Sequence, residues 1–340
     1  MTPRLAFLLA LLLGQAGCLA AQDRPDASWE HIEGGEDTDC ALGTPYRFFY
    51  RPGADASRLL IYFQGGGACW DWVSCSGMFD TSVERMELAE YRGIFDGANP
   101  ANPFRDFATL FVPYCTGDVH VGDAERRYGD DASARPVTHA GARNVEYALQ
   151  WIHARTDAPR QIVIAGASAG AYGAVFHAPR IAVLYPAATL ITIADSGVPL
   201  LPGYEAILDQ WGAGPTLRSA WSVGPEVSLT LHRAYREAAD ASGMRAVVQI
   251  TSDQDAIQSA FYLIAGSPAW RDDSYALLNR LEREVPTIHS FVVAGSDHGL
   301  MRTDAFYDYE ASGTALEAWI DRLINEEPVT SVRCEACTAP

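Results

Sequence analysis

Short, almost wholly apolar runs recur along this chain, each closed by Gly, Ser, Asp or Pro, with helix-like stretches between them. Residues 58–63, 109–114, 161–165, 189–194, 246–250 and 290–294 read as strands. Runs this uniformly apolar suit strands buried on both faces, as in a parallel sheet. Residues 142–156 and 314–325 instead carry apolar side chains at helical spacing, for instance Val145, Leu149 and Ile152. Strands alternating with helices predict an α/β fold, a mostly parallel sheet flanked by helices. The irregular, aromatic-rich stretches 76–107 and 199–241 read as lid-like insertions over the carboxyl edge of that sheet, where such folds keep their ligand site.

The N-terminus breaks the alternation. Arg4 precedes an apolar run over 5–13 and small residues through Ala21, the pattern of an export signal and too short to span a bilayer. The chain thus divides into a signal at 1–21, a polar flexible lead-in at 22–36, and a single catalytic domain at 37–340. Its 340 residues, 48% hydrophobic, can bury a sizeable core, and it is read as a monomer. The expected location is outside the cytoplasm: secreted, periplasmic or cell-surface. Gly17-Cys18 leaves a lipid anchor at Cys18 as an alternative, although Gln15 stands where such sites carry a branched aliphatic residue.

Loss of the signal takes Cys18 and leaves six cysteines, the even number expected of a disulfide framework in an exported chain. Cys69 and Cys75, and Cys334 and Cys337, are close enough to pair locally, leaving Cys40 for Cys115. Cys334-x-x-Cys337 as half a zinc site lacks a second cysteine pair or histidine cluster, so no metal is expected. The net charge is −18 and no lysine is present, all 25 basic residues being arginine. Such a surface repels nucleic acid, anionic membranes and polyanionic polysaccharide at long range.

The chemistry gathers around Gly166-Ala-Ser168-Ala-Gly170, which joins a predicted strand to an apolar helix start. Strand, G-x-S-x-G, helix is the context of a nucleophile elbow, in which tiny residues flank a serine lifted out of the sheet. A serine nucleophile needs a base and an orienting carboxylate, which an α/β-hydrolase supplies from loops after later strands. The strand at 246–250 is followed by Asp253 and Asp255, and that at 290–294 by Gly295-Ser-Asp-His298. His298 is the best placed of eight histidines. Spacing alone leaves Asp253 and Asp255 both open, while Asp195 comes one strand early. Gly65-Gly66-Gly67 after the first strand lets backbone amides approach an oxyanion, together with the amide of Ala169. Asp118-Val-His120 could face a pocket, ligate a metal, or serve as scaffold.

With these residues in view, the chain resembles the pectin acetylesterase/Notum family of secreted serine esterases from about Cys40 to Leu300. Cys40-Ala-Leu-Gly-Thr-Pro-Tyr46, Gly65-Gly-Gly-Ala-Cys-Trp70 with Cys75, Tyr114-Cys-Thr-Gly-Asp118 and Gly166–Gly170 carry the likeness. Asp255-Ala-Ile-Gln258 is similar to the family's Asp-x-x-Gln segment and favours Asp255 as the triad carboxylate. The resemblance also implies Cys40–Cys115 and Cys69–Cys75 bridges. Ala68 stands where plant members carry tryptophan, and Asp-Ala-Ile-Gln replaces their Asp-Ser-Trp-Gln, so chemistry carries over better than substrate.

The expectation is a cofactor-free esterase with Ser168, His298 and Asp255 as triad and Gly66, Gly67 and Ala169 as oxyanion donors. Trp70, Asp118 and His120 are expected on the substrate side. The substrate is an O-acyl ester, acetyl favoured, on a small molecule or polysaccharide. The rivals are a carboxylesterase or lipase for longer acyl chains and a non-catalytic binding protein that kept the fold.

Overall fold

The computed structural model describes residues 29–84, 88–130, 134–156 and 158–334. The export signal, Cys18 and Cys337 lie outside the described residues, and so does the Cys334–Cys337 pairing.

Nine strands form one sheet in the order β1-β2-β4-β3-β7-β8-β9-β10-β13. They are β1 (Glu30–Glu33), β2 (Arg47–Arg51), β3 (Asp55–Phe63), β4 (Phe107–Val112), β7 (Gln161–Ala167), β8 (Thr189–Asp195), β9 (Met244–Ser252), β10 (Ile288–Val293) and β13 (Val332–Arg333). Strands β5 (Ala124–Tyr128) and β6 (Arg135–His139) make a separate hairpin, and β11 (Glu310–Ala311) and β12 (Thr314–Ala315) a minimal one. The six strands expected from sequence are the consecutive run β4-β3-β7-β8-β9-β10, parallel throughout. Antiparallel pairing in this sheet is confined to β1–β2 and β2–β4, at one edge.

Each central strand is apolar on both faces because each face meets a core. Ile61 and Phe63 point to the layer holding α2 (Gly141–His153) and α3 (Ala169–Leu184), with Val145, Leu149 and Val175. Leu60 and Tyr62 point to the opposite layer, with Phe291 and with Trp319 of α9 (Leu316–Ile324). The strand register brings Phe63 beside Gly166, Ala167 beside Asp195, and Ser252 beside Val293. The loops that follow these residues therefore emerge together at one edge.

Two expectations need correction. The lead-in is not loose over its second half: Glu30–Glu33 pairs in register with Arg47–Arg51, Ile32 is buried, and Trp29 packs its ring on Phe95 and Phe111. A four-residue strand with one buried side chain carries too little periodicity to be read, and pairing holds it instead. Likewise 199–241 is mostly helical, with α4 (Tyr204–Trp211), α5 (Gly214–Trp221) and α6 (Leu231–Ala239). Among its described residues, the stretch 76–106 holds short 3₁₀ turns at Leu88–Glu90 and Gly93–Phe95 and no longer helix. The remaining helices are α1 (Trp72–Cys75), α7 (Ala256–Ile264) and α8 (Trp270–Glu284).

Cys40–Cys115 and Cys69–Cys75 are bridged, as the resemblance implied. Among the described residues, no helix is long and apolar enough to cross a membrane.

Candidate active site

Strand β7 ends at Ala167 and helix α3 begins at Ala169, so Ser168 alone makes the turn. Its φ of 57° and ψ of −124° are outside the regions an L-residue ordinarily occupies. Such a conformation costs on the order of 1–3 kcal/mol and persists only where the surroundings impose it. They do so here. The Ser168 amide donates to Asp195 O at 2.8 Å, and its carbonyl accepts from Ala171 N at 2.9 Å. A Cβ on Gly166 would collide with the carbonyl of Gly170, and one on Gly170 with the carbonyl of Phe63. Both glycines are therefore required by packing.

His298 presents Nδ1 to both carboxylate oxygens of Asp255, at 2.9 Å each. Asp255 is fully buried and caps α7, accepting from Ile257 N at 3.1 Å and Gln258 N at 2.9 Å. The Gln258 side chain adds a bond to Asp255 Oδ2 at 2.9 Å. The same amide group reaches Thr251 Oγ1 and accepts from Val198 N. Asp253 does other work: it accepts from Gly295 N at 3.0 Å and pairs with Arg271 Nε at 3.1 Å. Geometry thus separates the two aspartates that spacing left open.

Asp195, the early candidate, turns out to shape the histidine loop. Its carboxylate accepts from Leu300 N and Met301 N at 2.9 Å, and Ser196 Oγ accepts from Gly299 N at 2.9 Å. Three consecutive amides after His298 are thereby fixed to the end of β8. Burial raises the Asp195 pKa. The aspartate that ends a strand beside the elbow was the available sequence signal for this role.

The glycine loop leaves β3 alongside the elbow. A Cβ on Gly65 would strike Ala167 O and lie 2.8 Å from Ser168 Cβ, so only glycine lets the two turns approach. Gly67 has φ +79°. Asp80 N donates to Gly66 O at 2.9 Å, Ala68 N to Met78 O at 3.3 Å, and Cys69 N to Gly117 O at 2.8 Å. These bonds hold the loop without using the Gly66 and Gly67 amides. The bridge from Cys69 to Cys75 closes the loop's far end.

Asp118 and His120 do not lie on the substrate side as expected. Both are buried beneath the glycine loop. Asp118 accepts from Thr116 Oγ1 at 2.6 Å, His120 N at 3.1 Å and Gly141 N at 2.9 Å. The His120 ring lies against Phe63 and Tyr114, and its Nε2 is 2.8 Å from Gln64 O. Burial pulls its pKa down to about 3, so at neutral pH it is uncharged and donates Nε2–H to that carbonyl. Every polar atom of Asp118 faces inward because a buried carboxylate must be satisfied there. Trp70 does line the cleft, its ring 6.0 Å from that of Phe261.

Ser168, Ala169, Gly67 and His298 share this cleft, about 60 Å³ in volume. His298 Nε2 is buried in it without a hydrogen-bond partner among the described residues. One imidazole nitrogen held by a carboxylate and the other left open beside a strained serine is the arrangement of a general base awaiting its hydroxyl.

Known proteins bear on this site. The chain is 25% identical to human palmitoleoyl-protein carboxylesterase NOTUM over 171 residues, 46% of this chain and 34% of that protein. It is 23% identical to Xenopus laevis palmitoleoyl-protein carboxylesterase notum1 over 191 residues, 52% of this chain and 38% of that one. The chain thus covers about a third of the length of these curated relatives. The solved structure of the Wnt deacylase Notum from Drosophila superposes with a TM-score of 0.69 at 14% identity, covering 91% of this chain and 97% of that one. The fold is accordingly that of a Notum-like α/β-hydrolase. The family model described as pectinacetylesterase matches residues 28–201, and the chain belongs to that family of carboxylic ester hydrolases.

Proposed function

We propose that this protein is an exported serine esterase that removes short O-acyl groups, acetyl foremost, from carbohydrate alcohols. The observation that carries the reading is His298, anchored through Nδ1 to Asp255 and open at Nε2 in the cleft that Ser168 lines.

Ser168 Oγ attacks the ester carbonyl as its proton passes to His298 Nε2. The oxyanion is held by the amides of Gly66, Gly67 and Ala169, each such donor contributing about 2.7–4 kcal/mol. The tetrahedral adduct collapses, His298 returns the proton to the departing alkoxide, and the alcohol leaves with the acyl group on Ser168. Water, deprotonated by His298, then adds to the acyl-enzyme; collapse releases the carboxylic acid and restores the serine. Asp255 keeps the imidazole in the tautomer that presents a bare Nε2.

The cleft's small volume, about 60 Å³, favours a small acyl group. An acyl group of two to four carbons fits that space. The exposed apolar side chain of Ile257 on α7, which lines the cleft, supports a second reading in which a longer chain lies partly outside.

Hydrolysis of p-nitrophenyl esters from two to twelve carbons by wild type and Ser168→Ala tests both. Activity that depends on Ser168 and peaks at two to four carbons supports the first reading, and a peak at eight or more supports the second. Activity that survives Ser168→Ala overturns the mechanism.

A further inference from the structure

The aromatic groups packed around the acyl side of the cleft have their polar atoms satisfied, with one exception. Tyr172 donates to Val198 O at 2.8 Å and Tyr235 to Gln249 Oε1 at 2.5 Å. Trp211 Nε1 donates to Cys69 O at 2.7 Å and Trp221 Nε1 to Phe176 O at 3.2 Å. Tyr204 opens helix α4 and lines the cleft, its ring against Phe176. Its hydroxyl is shielded from solvent and has no partner among the described residues, although the residue is only 6% exposed. A buried hydroxyl without a partner costs about 1–3 kcal/mol, so phenylalanine would be the cheaper residue unless something else uses the oxygen. Desolvation pushes the phenol well above its ordinary pKa, which keeps it a neutral donor.

We propose that the Tyr204 hydroxyl is a specificity group that hydrogen-bonds an oxygen carried on the acyl chain, so that the preferred substrates are esters of short hydroxy acids. This rests on the serine-esterase reading and puts a short hydroxyacyl group in the place that reading gives to acetyl. The acyl side is indicated because a carbohydrate alcohol must extend to solvent, whereas the Tyr204 hydroxyl is shielded from it. The cleft's size admits a four-carbon acyl group with one hydroxyl. A pocket built around a hydroxyl discriminates more sharply than an apolar one, because the analogue lacking it leaves the buried partner unpaired.

The test compares kcat/KM for the ethyl esters of butyric acid and of 2-, 3- and 4-hydroxybutyric acid, on wild type and on Tyr204→Phe. The expected result is a preference of about tenfold or more for one hydroxy ester in wild type, falling to about unity in Tyr204→Phe. No preference in wild type, or one that survives Tyr204→Phe, overturns the proposal. Failure of wild type to hydrolyse any of the four would remove the short-acyl esterase reading without deciding this one. Calorimetric titration of the same esters into Ser168→Ala and into Ser168→Ala/Tyr204→Phe decides it then. Tighter binding of one hydroxy ester that depends on Tyr204 supports the proposal, and equal binding of all four refutes it. Thermal melting adds an independent readout: Tyr204→Phe should raise the apo-protein Tm, and a lowered Tm would mean that the hydroxyl already has a protein partner.

Discussion

His120 is the residue whose replacement reports most directly on how the oxyanion loop is held. Its ordinary pKa of 6.5 falls to about 3 in the folded protein through burial. Below pH 6.5 the unfolded chain takes up a proton that the folded chain refuses, so this group's stabilisation is present above that value and is lost as pH falls toward 3. At pH 5 the loss is 1.36 kcal/mol for each of the 1.5 pH units below 6.5, about 2 kcal/mol. The result hardly depends on the folded value, provided that it stays below about 4. His120→Asn removes the titration while keeping a residue that tolerates the φ of +70° at this position. It also forfeits the ring packing on Phe63 and Tyr114 and the bond to Gln64 O, worth about 3 kcal/mol at any pH. Urea unfolding of the two proteins should therefore show a gap of about 3 kcal/mol at pH 8 that narrows to about 1 kcal/mol at pH 5. His139 and His177, whose pKa values burial also lowers, are common to both proteins and cancel. A gap that stays constant or widens toward pH 5 would refute the account of His120 as a buried neutral donor. At pH 8 the variant's kcat should drop by up to about a hundredfold, as the loop bearing the Gly66 and Gly67 amides loses its anchor.

Three further outcomes follow from the same geometry. Asp255→Asn should lower kcat by about four orders of magnitude with the fold intact, because it favours the wrong imidazole tautomer. Asp253→Asn should cost about 1–3 kcal/mol of stability through Gly295 and Arg271 while kcat changes less than about tenfold; steady-state kinetics that reversed these effects would exchange the two roles. Gly170→Ala forces a methyl onto the carbonyl of Phe63 and should destabilise by about 1–3 kcal/mol, read as a lower melting temperature.

What could be read from the sequence was whatever has a strong local signal. The six strands of the central run were legible because burial on both faces makes each an uninterrupted apolar segment, and the elbow because its turn tolerates only small flanking residues. Strands β1 and β2 were not, since short strands held by pairing at the end of a sheet carry ambiguous patterns such as Arg47-Phe-Phe-Tyr-Arg51. The division of labour among Asp195, Asp253 and Asp255 was hidden for a different reason. All three follow strands at the same sheet edge, and only the fold decides which amides and side chains each carboxylate meets. His120 misled because a histidine in a polar, glycine-containing loop looks accessible, whereas the loop folds back under its neighbour.

The Cys69–Cys75 bridge closes a six-residue interval directly beyond the glycine loop, and Cys69 also receives the Trp211 side chain and donates to Gly117. It braces little of the sheet, whose parallel strands are held by their own ladders and by two apolar layers. Oxidation state should therefore divide the molecule: thiol chemistry would set whether the site is assembled, and the β-sheet would set whether the chain is folded. A preparation in which this bridge alone is open should then pass every test of secondary structure and still lack turnover, and gentle oxidation of that same material should switch it on.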